Sequence, residues 1–200
     1  HPMEEYLETW KSNITAKTSD FLVDEESGQA VVQDNDRVTI GGMIAGKVIK
    51  TTRTGKMMAF ITVEDMVGSV EVLVFPRDFE LCRDRLVEEA KVFVRGRVSL
   101  GEEPAGKLIC EQLTPFDQVP RDLWLKFADK ADYDAKQKQV MELLKTAEGN
   151  DTVIIYLEKE RARKVLPANW RVAARGPVLE QLCRILGEKN VKAVEKGLKR

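Results

Sequence analysis

Residues 57–76, MMAFITVEDMVGSVEVLVFP, contain two runs in which apolar side chains recur at every second position, with Gly68 between the runs. A period of two is typical of a β-strand with one buried face, and glycine is common where two strands are joined by a turn. The stretch therefore predicts a β-hairpin with strands over residues 57–65 and 68–75. The side chains predicted to share one interior are those of Ala59, Ile61, Val63, Val70, Val72 and Val74.

Strand and helix signals continue on both sides of the hairpin. Residues 38–52, VTIGGMIAGKVIKTT, predict a long preceding strand whose glycines indicate a bulge or a sharp bend. The elements predicted to follow the hairpin are a helix over residues 76–90 and strands over residues 91–100 and 106–116. Three strands, a helix and two strands is the order of an OB-fold barrel, with the helix between strands 3 and 4. We therefore predict an OB-fold over residues 37–118, with an SH3-like barrel as the alternative.

The predicted barrel is flanked by two regions of different pattern. Residues 1–36 are polar with one amphipathic stretch, which predicts a helical lead-in followed by a linker. Residues 119–200 predict a small α+β domain. Its predicted elements are strands over 122–127 and 151–159, a helix over 132–149 with Gly149 as its C-cap, and a helix over 176–187. The basic tail that follows, residues 192–200, is predicted to be frayed.

The composition limits the kinds of function that the chain can have. It carries 32 Lys and Arg against 33 Asp and Glu, so no overall field attracts nucleic acid or an anionic membrane, and we expect no membrane partner. With His1 as its single histidine, the sequence lacks a Ser-His-Asp triad and the usual zinc sites. We expect no catalytic residue, no metal site and no cofactor in this chain. Three widely separated cysteines indicate a reducing, cytoplasmic setting.

The candidate functional surface is the outer face of the barrel. OB-folds bind single-stranded nucleic acid there, because aromatic rings stack on bases and cations contact phosphates. The predicted nucleic-acid-binding residues are Phe60, Met58, Lys47, Lys50, Arg53, Lys56, Arg95 and Arg97. Residues 37–116 hold 12 Lys and Arg against 11 Asp and Glu, so we expect binding that is weak and salt-sensitive. In the alternative interpretation, a neighbouring domain covers this face and the chain is a protein-interaction module without DNA binding.

The hairpin and its neighbours resemble a known family, the alpha subunits of bacterial replicative DNA polymerase III. The segments that carry the resemblance are HPMEEY (1–6), GGMIAGKVIKTTRTGKMMAF (41–60), the hairpin (57–76), LPANWRV (166–172) and LEQLCRILGEKNV (179–191). They occur in the order found in the family and span nearly the whole chain. The resemblance implies that the chain is a C-terminal fragment of such a subunit, with an OB-fold followed by the terminal domain.

The resemblance also implies a function for the parent protein, which is a DNA-directed DNA polymerase, a nucleotidyltransferase expected to use Mg²⁺. The acidic metal ligands of that reaction belong to a palm domain without a counterpart here, so no catalytic residue is carried over. For this chain, the resemblance implies an OB-fold that contacts single-stranded template DNA and a terminal domain that docks replisome proteins, among them the tau subunit of the clamp loader. A tRNA-binding OB domain of an aminoacyl-tRNA synthetase is a further alternative.

Overall fold

The computed structural model describes residues 3–198, which form two compact units. The first unit contains the described residues up to Val119 together with Gly197 and Leu198, and the second spans Pro120–Lys196. Within the described part of the chain, no helix is long and apolar enough to cross a membrane.

The first unit begins with helix α1, Leu7–Asn13, and is built around a closed five-stranded barrel. The barrel elements are β1 (Arg37–Thr51), β2 (Met57–Glu64), β3 (Ser69–Val74), helix α2 (Pro76–Cys82), β4 (Lys91–Ser99) and β5 (Lys107–Pro115). The strand order around the barrel is β1-β2-β3-β5-β4, with β3 and β5 parallel and the other pairs antiparallel. This architecture confirms the predicted OB-fold, including the helix between strands 3 and 4.

The side-chain alternation predicted for the hairpin is confirmed. The six side chains predicted to point inward are each at most 4% exposed, and Val92, Val94 and Val98 of β4 join them in the barrel core. This burial fixes the register, because a slip of one residue would turn the whole apolar set toward solvent. On the opposite, outer set of β2 and β3, Phe60 and Leu73 are half-buried and Thr62 is exposed.

Strand β1 bends in its glycine-rich part, as predicted. Its register with β2 shifts between Ile44 and Gly46, which is the mark of a β-bulge. Gly41 is a position of close approach, since its carbonyl accepts a 2.6 Å hydrogen bond from Trp10 Nε1 and an added Cβ would lie 2.7 Å from the ring of Phe93. Phe93 points out of the barrel, but it is buried against Trp10 and stacked on Phe116 with 4.1 Å between ring centroids.

The segment before the barrel packs onto it. The core residues that this segment contributes are Ala16, Phe21 and Val32. The buried carboxylate of Asp65 fastens the segment to the turn between β2 and β3, because it accepts hydrogen bonds from the amide and the hydroxyl of Thr18 at 3.0 and 2.7 Å. It also accepts from the amides of Val67 and Gly68 within the turn. The predicted lead-in and linker therefore help to close the barrel core.

Helix α2 is shorter than predicted. It ends at Cys82 instead of continuing to Ala90, and residues 83–85 form a single 3-10 turn. The apolar spacing that suggested one long helix is nevertheless used, since Phe79, Cys82 and Leu86 are all buried in the barrel core. A helical turn followed by a 3-10 turn places these three side chains on one side just as a longer helix would.

The second unit is a four-stranded sheet with two helices, which confirms the predicted α+β class. Its elements are β6 (Arg121–Phe127), α3 (Lys130–Leu144), β7 (Glu148–Leu157), β8 (Ala162–Val165), α4 (Pro177–Leu186) and β9 (Val191–Glu195). The strand order is β8-β7-β6-β9, with β6 and β7 parallel across α3 and the two edge strands antiparallel to their neighbours. Both helices pack on one face of the sheet, through Val140 and Leu144 of α3 and Leu182 and Leu186 of α4.

Two predictions for this unit are wrong. The first part of the tail predicted to be frayed, residues 192–195, belongs to β9, which pairs with β6 along its length, while residues 199–200 of that tail lie outside the described residues. Gly149 is not a C-cap, because α3 ends at Leu144 and Gly149 lies in β7, where an added Cβ would collide with the backbone of Ala173. In both cases the contact that decides the structure comes from a distant part of the chain, and a local sequence pattern does not show it.

Candidate nucleic-acid interface

One row of outward side chains runs around the barrel from strand to strand. In the order β1, β2, β3, β5 and β4, the row consists of Val48, Phe60, Leu73, Ile109 and Arg97. Neighbouring strands lie about 4.8 Å apart, so the four apolar members form a strip about 14 Å long. Val48 is 55% exposed, and the other three apolar members are half-buried. The outer face thus carries a continuous apolar strip, with Phe60 as its aromatic member.

The ring of Phe60 lies next to a cation. Lys50, which pairs with Met58 across β1 and β2, places its Nζ 4.8 Å from the centroid of the Phe60 ring. An ammonium group over an aromatic ring at an exposed site is worth about 0.5–1 kcal/mol. The contact holds a positive charge beside an accessible ring, and a ring with a nearby cation is what a stacked base and its phosphate require.

Two further predicted cations, Arg53 and Lys56, lie in the turn between β1 and β2, and both are exposed. The turn is closed by the amide of Thr52, which donates a 2.7 Å hydrogen bond to the carbonyl of Lys56. Gly55 within the turn has φ +79°, a conformation that favours glycine. The structure therefore brings five predicted residues together on one hairpin, which we name the hairpin group: Lys50, Arg53, Lys56, Met58 and Phe60.

Lys47 lies apart from the hairpin group. The alternation along β1 places it opposite Ile61, on the inward set, and its Nζ donates a 2.7 Å hydrogen bond to the carbonyl of Leu86. The bulge that precedes it in β1 shifts the alternation, because one extra residue changes which side chains face outward. The ammonium group of Lys47 thus holds the chain that follows α2.

Arg95 and Arg97 lie on β4, which pairs with β5 on one side and with residues 37–43 of β1 on the other, far along β1 from Lys50. Arg97 ends the outer row beyond Ile109, and its guanidinium donates a 2.8 Å hydrogen bond to Asn35 Oδ1. Arg95 is half-buried opposite Thr39. The structure therefore separates these two arginines from the hairpin group, with Arg97 about 14 Å from Phe60 around the barrel.

The end of the face away from the β1–β2 turn is acidic. Lys107 Nζ lies 3.2 Å from a carboxylate oxygen of Glu103 and 3.3 Å from one of Glu71. Hydrogen bonds to Glu103 and Glu71 raise the pKa of Lys107 above its ordinary value, so the lysine stays charged while its charge is neutralised locally. A cleft of about 330 Å³ adjoins these groups and is lined in part by Phe21 and Thr62. A phosphate is disfavoured here because two carboxylates face the cleft.

Three members of this surface escaped the sequence predictions: Val48, Ile109 and Lys107. Val48 and Ile109 join the strip through strand pairing, and the parallel pairing of β3 with β5 connects residues far apart in sequence. The sequence alternation shows that Val48 faces the opposite way from Lys47 and Ile49 in the predicted strand. It does not show which of the two sets faces outward, because the bulge shifts the alternation. Among the residues that the structure describes, no group of three or more His, Cys, Asp or Glu side chains could hold a metal ion.

Comparison with known sequences finds similarity that extends beyond the barrel. A sequence profile of the OB-fold nucleic acid binding domain matches residues 38–116. The chain is 28% identical over 155 residues to the DNA polymerase III subunit alpha of Bacillus subtilis, and 26% identical over 159 residues to that of Halalkalibacterium halodurans. These matches cover 75% and 77% of this chain but only 14% of each relative. They confirm the resemblance inferred from the sequence segments.

The similarity to solved structures is limited. A domain of replication protein A from Methanococcus maripaludis has a TM-score of 0.36 and 16% identity, covering 42% of this chain and 87% of that one. Asparaginyl-tRNA synthetase from Pyrococcus horikoshii, in complex with asparaginyl-adenylate, has a TM-score of 0.32 and 25% identity, covering 41% of this chain and 19% of that one.

Proposed function

We propose that this chain, which is homologous to the C-terminal region of bacterial DNA polymerase III alpha subunits, contacts single-stranded DNA through the outer face of its OB-fold. The observation that carries the proposal is the position of Phe60, whose ring lies within an outward apolar strip and has the Lys50 ammonium 4.8 Å away. Arg53 and Lys56 extend from the adjoining turn. These three cations can contact phosphates while a base stacks on the ring.

The energies of the competing contacts favour a stacked base. A base on an aromatic side chain gains about 1–3 kcal/mol. The contact of Lys50 with the Phe60 ring is worth about 0.5–1 kcal/mol, so stacking outweighs the interaction that it displaces. The stem of Lys50 is flexible, which allows its ammonium to move from the ring to the phosphate of the same nucleotide. We place the strand over the Val48 and Phe60 end of the strip, away from the carboxylates around Lys107.

Fluorescence anisotropy with a labelled thymidine oligonucleotide tests this proposal. Phe60→Ala is expected to weaken binding at the barrel face about tenfold, because it removes the stacking ring. At low salt, Lys50→Gln should weaken the same binding less than Phe60→Ala does. The effect of Lys50→Gln should be smaller still at moderate salt, because salt screens the contact with phosphate. The matched control is Lys138→Gln, which makes the same charge change on the exposed side of α3 and is expected to leave affinity unchanged.

Photo-crosslinking with 5-iododeoxyuridine in the oligonucleotide locates the contact directly. A cross-linked peptide that includes residues 57–64 supports the proposal. Unchanged affinity in the Phe60→Ala chain, together with no cross-link to this peptide, contradicts it. Arg95→Ala serves as a second comparison, since a loss confined to that variant would move the contact to β4. A preference for a folded tRNA anticodon stem over a plain strand would favour the tRNA-binding alternative.

For the remaining part of the chain we propose a role in docking replisome proteins, with the tau subunit of the clamp loader as partner. A match that covers 77% of the chain must run past residue 119, so the similarity to polymerase III alpha subunits is not confined to the barrel. In this proposal residues 37–118 and 119–200 are the two domains. The Mg²⁺-dependent synthesis of DNA belongs to segments of a cytoplasmic parent protein that this chain does not contain. Capture of purified tau by the full chain tests the docking role.

One observation supports a second candidate function, that of a protein-interaction module. Residues 1–119 carry 14 Lys and Arg against 21 Asp and Glu, so the surroundings of the barrel repel phosphates on average. The apolar strip from Val48 to Ile109 would then be covered by a protein partner. Capture of tau, combined with no anisotropy change and no cross-link at low salt, would favour this candidate over DNA binding.

A further inference from the structure

The sheet of the second unit has one face on which neither α3 nor α4 packs. The helices cover the face that carries Leu123, Leu125 and Val153. Because side chains alternate along a strand, the residues between these point the other way. We name this second surface the open sheet face, and the members that matter below are Trp124, Lys126, Ile154, Tyr156, Arg163 and Lys192.

Two aromatic rings lie on the adjacent central strands of the open sheet face. Trp124 on β6 pairs with Ile154 on β7, and Tyr156 lies two residues further along β7. One strand spacing and one two-residue step separate the rings by about 8 Å. Both side chains are half-buried, which fixes each ring against the sheet and leaves part of it accessible. Four-stranded sheets that present aromatic rings in this way stack two or three bases of a single strand.

Each ring has a cation as its cross-strand neighbour. Arg163 on β8 pairs with Tyr156, and Lys192 on β9 pairs with Trp124. Both cations are exposed, and neither forms an ion pair with another residue that the structure describes. Lys126, in contrast, has its Nζ 3.2 Å from a carboxylate oxygen of Glu158. Two unpaired cations next to two rings can contact the phosphates of a strand whose bases stack on the rings.

The charge of this part of the chain complements an anion. Residues 120–196 carry 16 Lys and Arg against 12 Asp and Glu, whereas residues 1–119 carry 14 against 21. A near-neutral chain thus contains a positively charged segment, and a local excess of positive charge raises the local concentration of polyanions. The aliphatic side chains of Val165 and Ile154 lie in a row with Trp124, and this row ends at Lys192 and adjoins Arg163, so cations border the apolar part of the face.

We infer that the open sheet face is a second binding site for single-stranded nucleic acid, in which Trp124 and Tyr156 stack on successive bases while Arg163 and Lys192 contact phosphates. The site lies on other elements than the OB-fold face, and it does not depend on the function proposed for that face. It gives the second unit a role in nucleic-acid binding in addition to any role in docking proteins.

The test first removes the barrel contact and then measures what binding remains. The full chain with Phe60→Ala and Lys50→Gln is titrated with a thymidine dodecamer, with anisotropy and tryptophan emission as the two signals. Trp124→Ala and Tyr156→Ala are each expected to weaken the remaining binding about tenfold. A base stacked on Trp124 should quench its emission, so Trp124→Phe is expected to remove the quench while it keeps most of the affinity. Trp170→Phe is the matched control and should keep both.

A pair of charge reversals covers the case in which an aromatic variant fails to fold. Arg163→Glu with Lys192→Glu is expected to reduce the remaining binding at least about tenfold. Lys138→Glu with Arg184→Glu makes the same change in net charge on exposed positions of the two helices and should have little effect. Circular dichroism and thermal unfolding check that each variant is folded.

Three results would overturn the inference: no binding left once the barrel variants are present, binding that survives both aromatic changes, or equal losses from the two charge reversals. One further pattern of affinities would overturn the function proposed for the barrel and leave this inference standing. In that case Phe60→Ala would not affect the affinity of the otherwise unchanged chain, while Trp124→Ala would reduce it.

Discussion

Asp65 illustrates how one buried carboxylate can hold two parts of the chain together. It accepts four hydrogen bonds, from the amide and hydroxyl of Thr18 and from the amides of Val67 and Gly68. Asp65→Ala leaves the two Thr18 donors without a partner in a buried place and the two turn amides in a part-buried one, and a donor that water does not reach costs about 1–3 kcal/mol. We expect Asp65→Ala to lower the free energy of unfolding by about 2–4 kcal/mol in urea titrations.

The comparison variant for Asp65 is Thr18→Val, which removes one hydroxyl donor and keeps the shape of the side chain. Its expected loss is about 1 kcal/mol, because the amide of Thr18 still donates to Asp65. A loss from Asp65→Ala no larger than that from Thr18→Val would show that the turn does not depend on the carboxylate.

The three cysteines are expected to differ in reactivity. Cys82 and Cys110 are buried and Cys183 is half-buried. A hydrogen bond with Cys82, together with burial, raises the pKa of Cys110, so its thiol resists ionisation between pH 7 and 9. The same hydrogen bond lowers the pKa of Cys82, which is kept from reagents by its burial. We expect a thiol reagent to label one site of the folded chain rapidly and three sites after unfolding. Rapid labelling of Cys110 at pH 9 would contradict this, and Cys183→Ser identifies the fast site.

The close pairing of strand β1 with β2 depends on the lack of a side chain at Gly42. An added Cβ there would collide with the backbone carbonyl of Glu64 on the paired strand. Backbone atoms of a closed barrel cannot easily move aside, so we expect Gly42→Ala to cost about 1–3 kcal/mol of folding free energy. Gly101→Ala is the control, since a Cβ at Gly101 meets no atom within 4 Å, and it should change stability by less than about 1 kcal/mol. Equal effects in thermal unfolding would contradict the close approach.

Strand β9 is tested by substituting one residue on each of its two faces. Val191 is half-buried and packs on the core beneath the helices, whereas Val194 is 40% exposed on the open sheet face. Val191→Thr buries a hydroxyl without changing the shape, at an expected cost of about 1 kcal/mol. Val194→Thr leaves its hydroxyl in water and should cost less than half as much. Equal unfolding midpoints for the two variants would indicate that residues 191–195 do not form a strand in solution.

The hairpin and strand β9 show which parts of the structure could be predicted from the sequence and which could not. The hairpin from Met57 to Pro76 could be predicted because one face of each strand is buried, and burial produces a period of two. Strand β9 could not be predicted in this way, since it is a short edge strand and its apolar positions are spread over both faces. The place of Lys47 could not be predicted either, because a single bulged residue in β1 decides which side chains face outward. Phe60 could be placed on the outer face, but its apolar neighbours come from the pairing of strands that are distant in sequence.

At the scale of the whole molecule, the two parts of the chain differ in charge while the total is close to zero. The formal net charge of −1 combines an acidic segment, residues 1–119, with a basic one, residues 120–196. The overall charge therefore says little about nucleic-acid binding, because a polyanion responds to the local field at the place where it binds. Each proposed binding face must be judged by the cations that lie next to its aromatic rings.

This difference predicts how salt affects binding at the barrel. The hairpin group supplies three cations, Lys50, Arg53 and Lys56, so a strand bound as proposed would contact about three phosphates. For single strands the slope of log K against log salt is about −0.7 for each phosphate neutralised, which gives about −2 here. We expect this slope from anisotropy at 50, 100 and 200 mM salt in a chain with Trp124→Ala and Tyr156→Ala. Adding Lys56→Gln should make the slope less steep by about 0.7, and adding Lys138→Gln should leave it unchanged. A slope near zero would mean that stacking alone holds the strand, and a slope steeper than about −4 would require cations beyond the hairpin group.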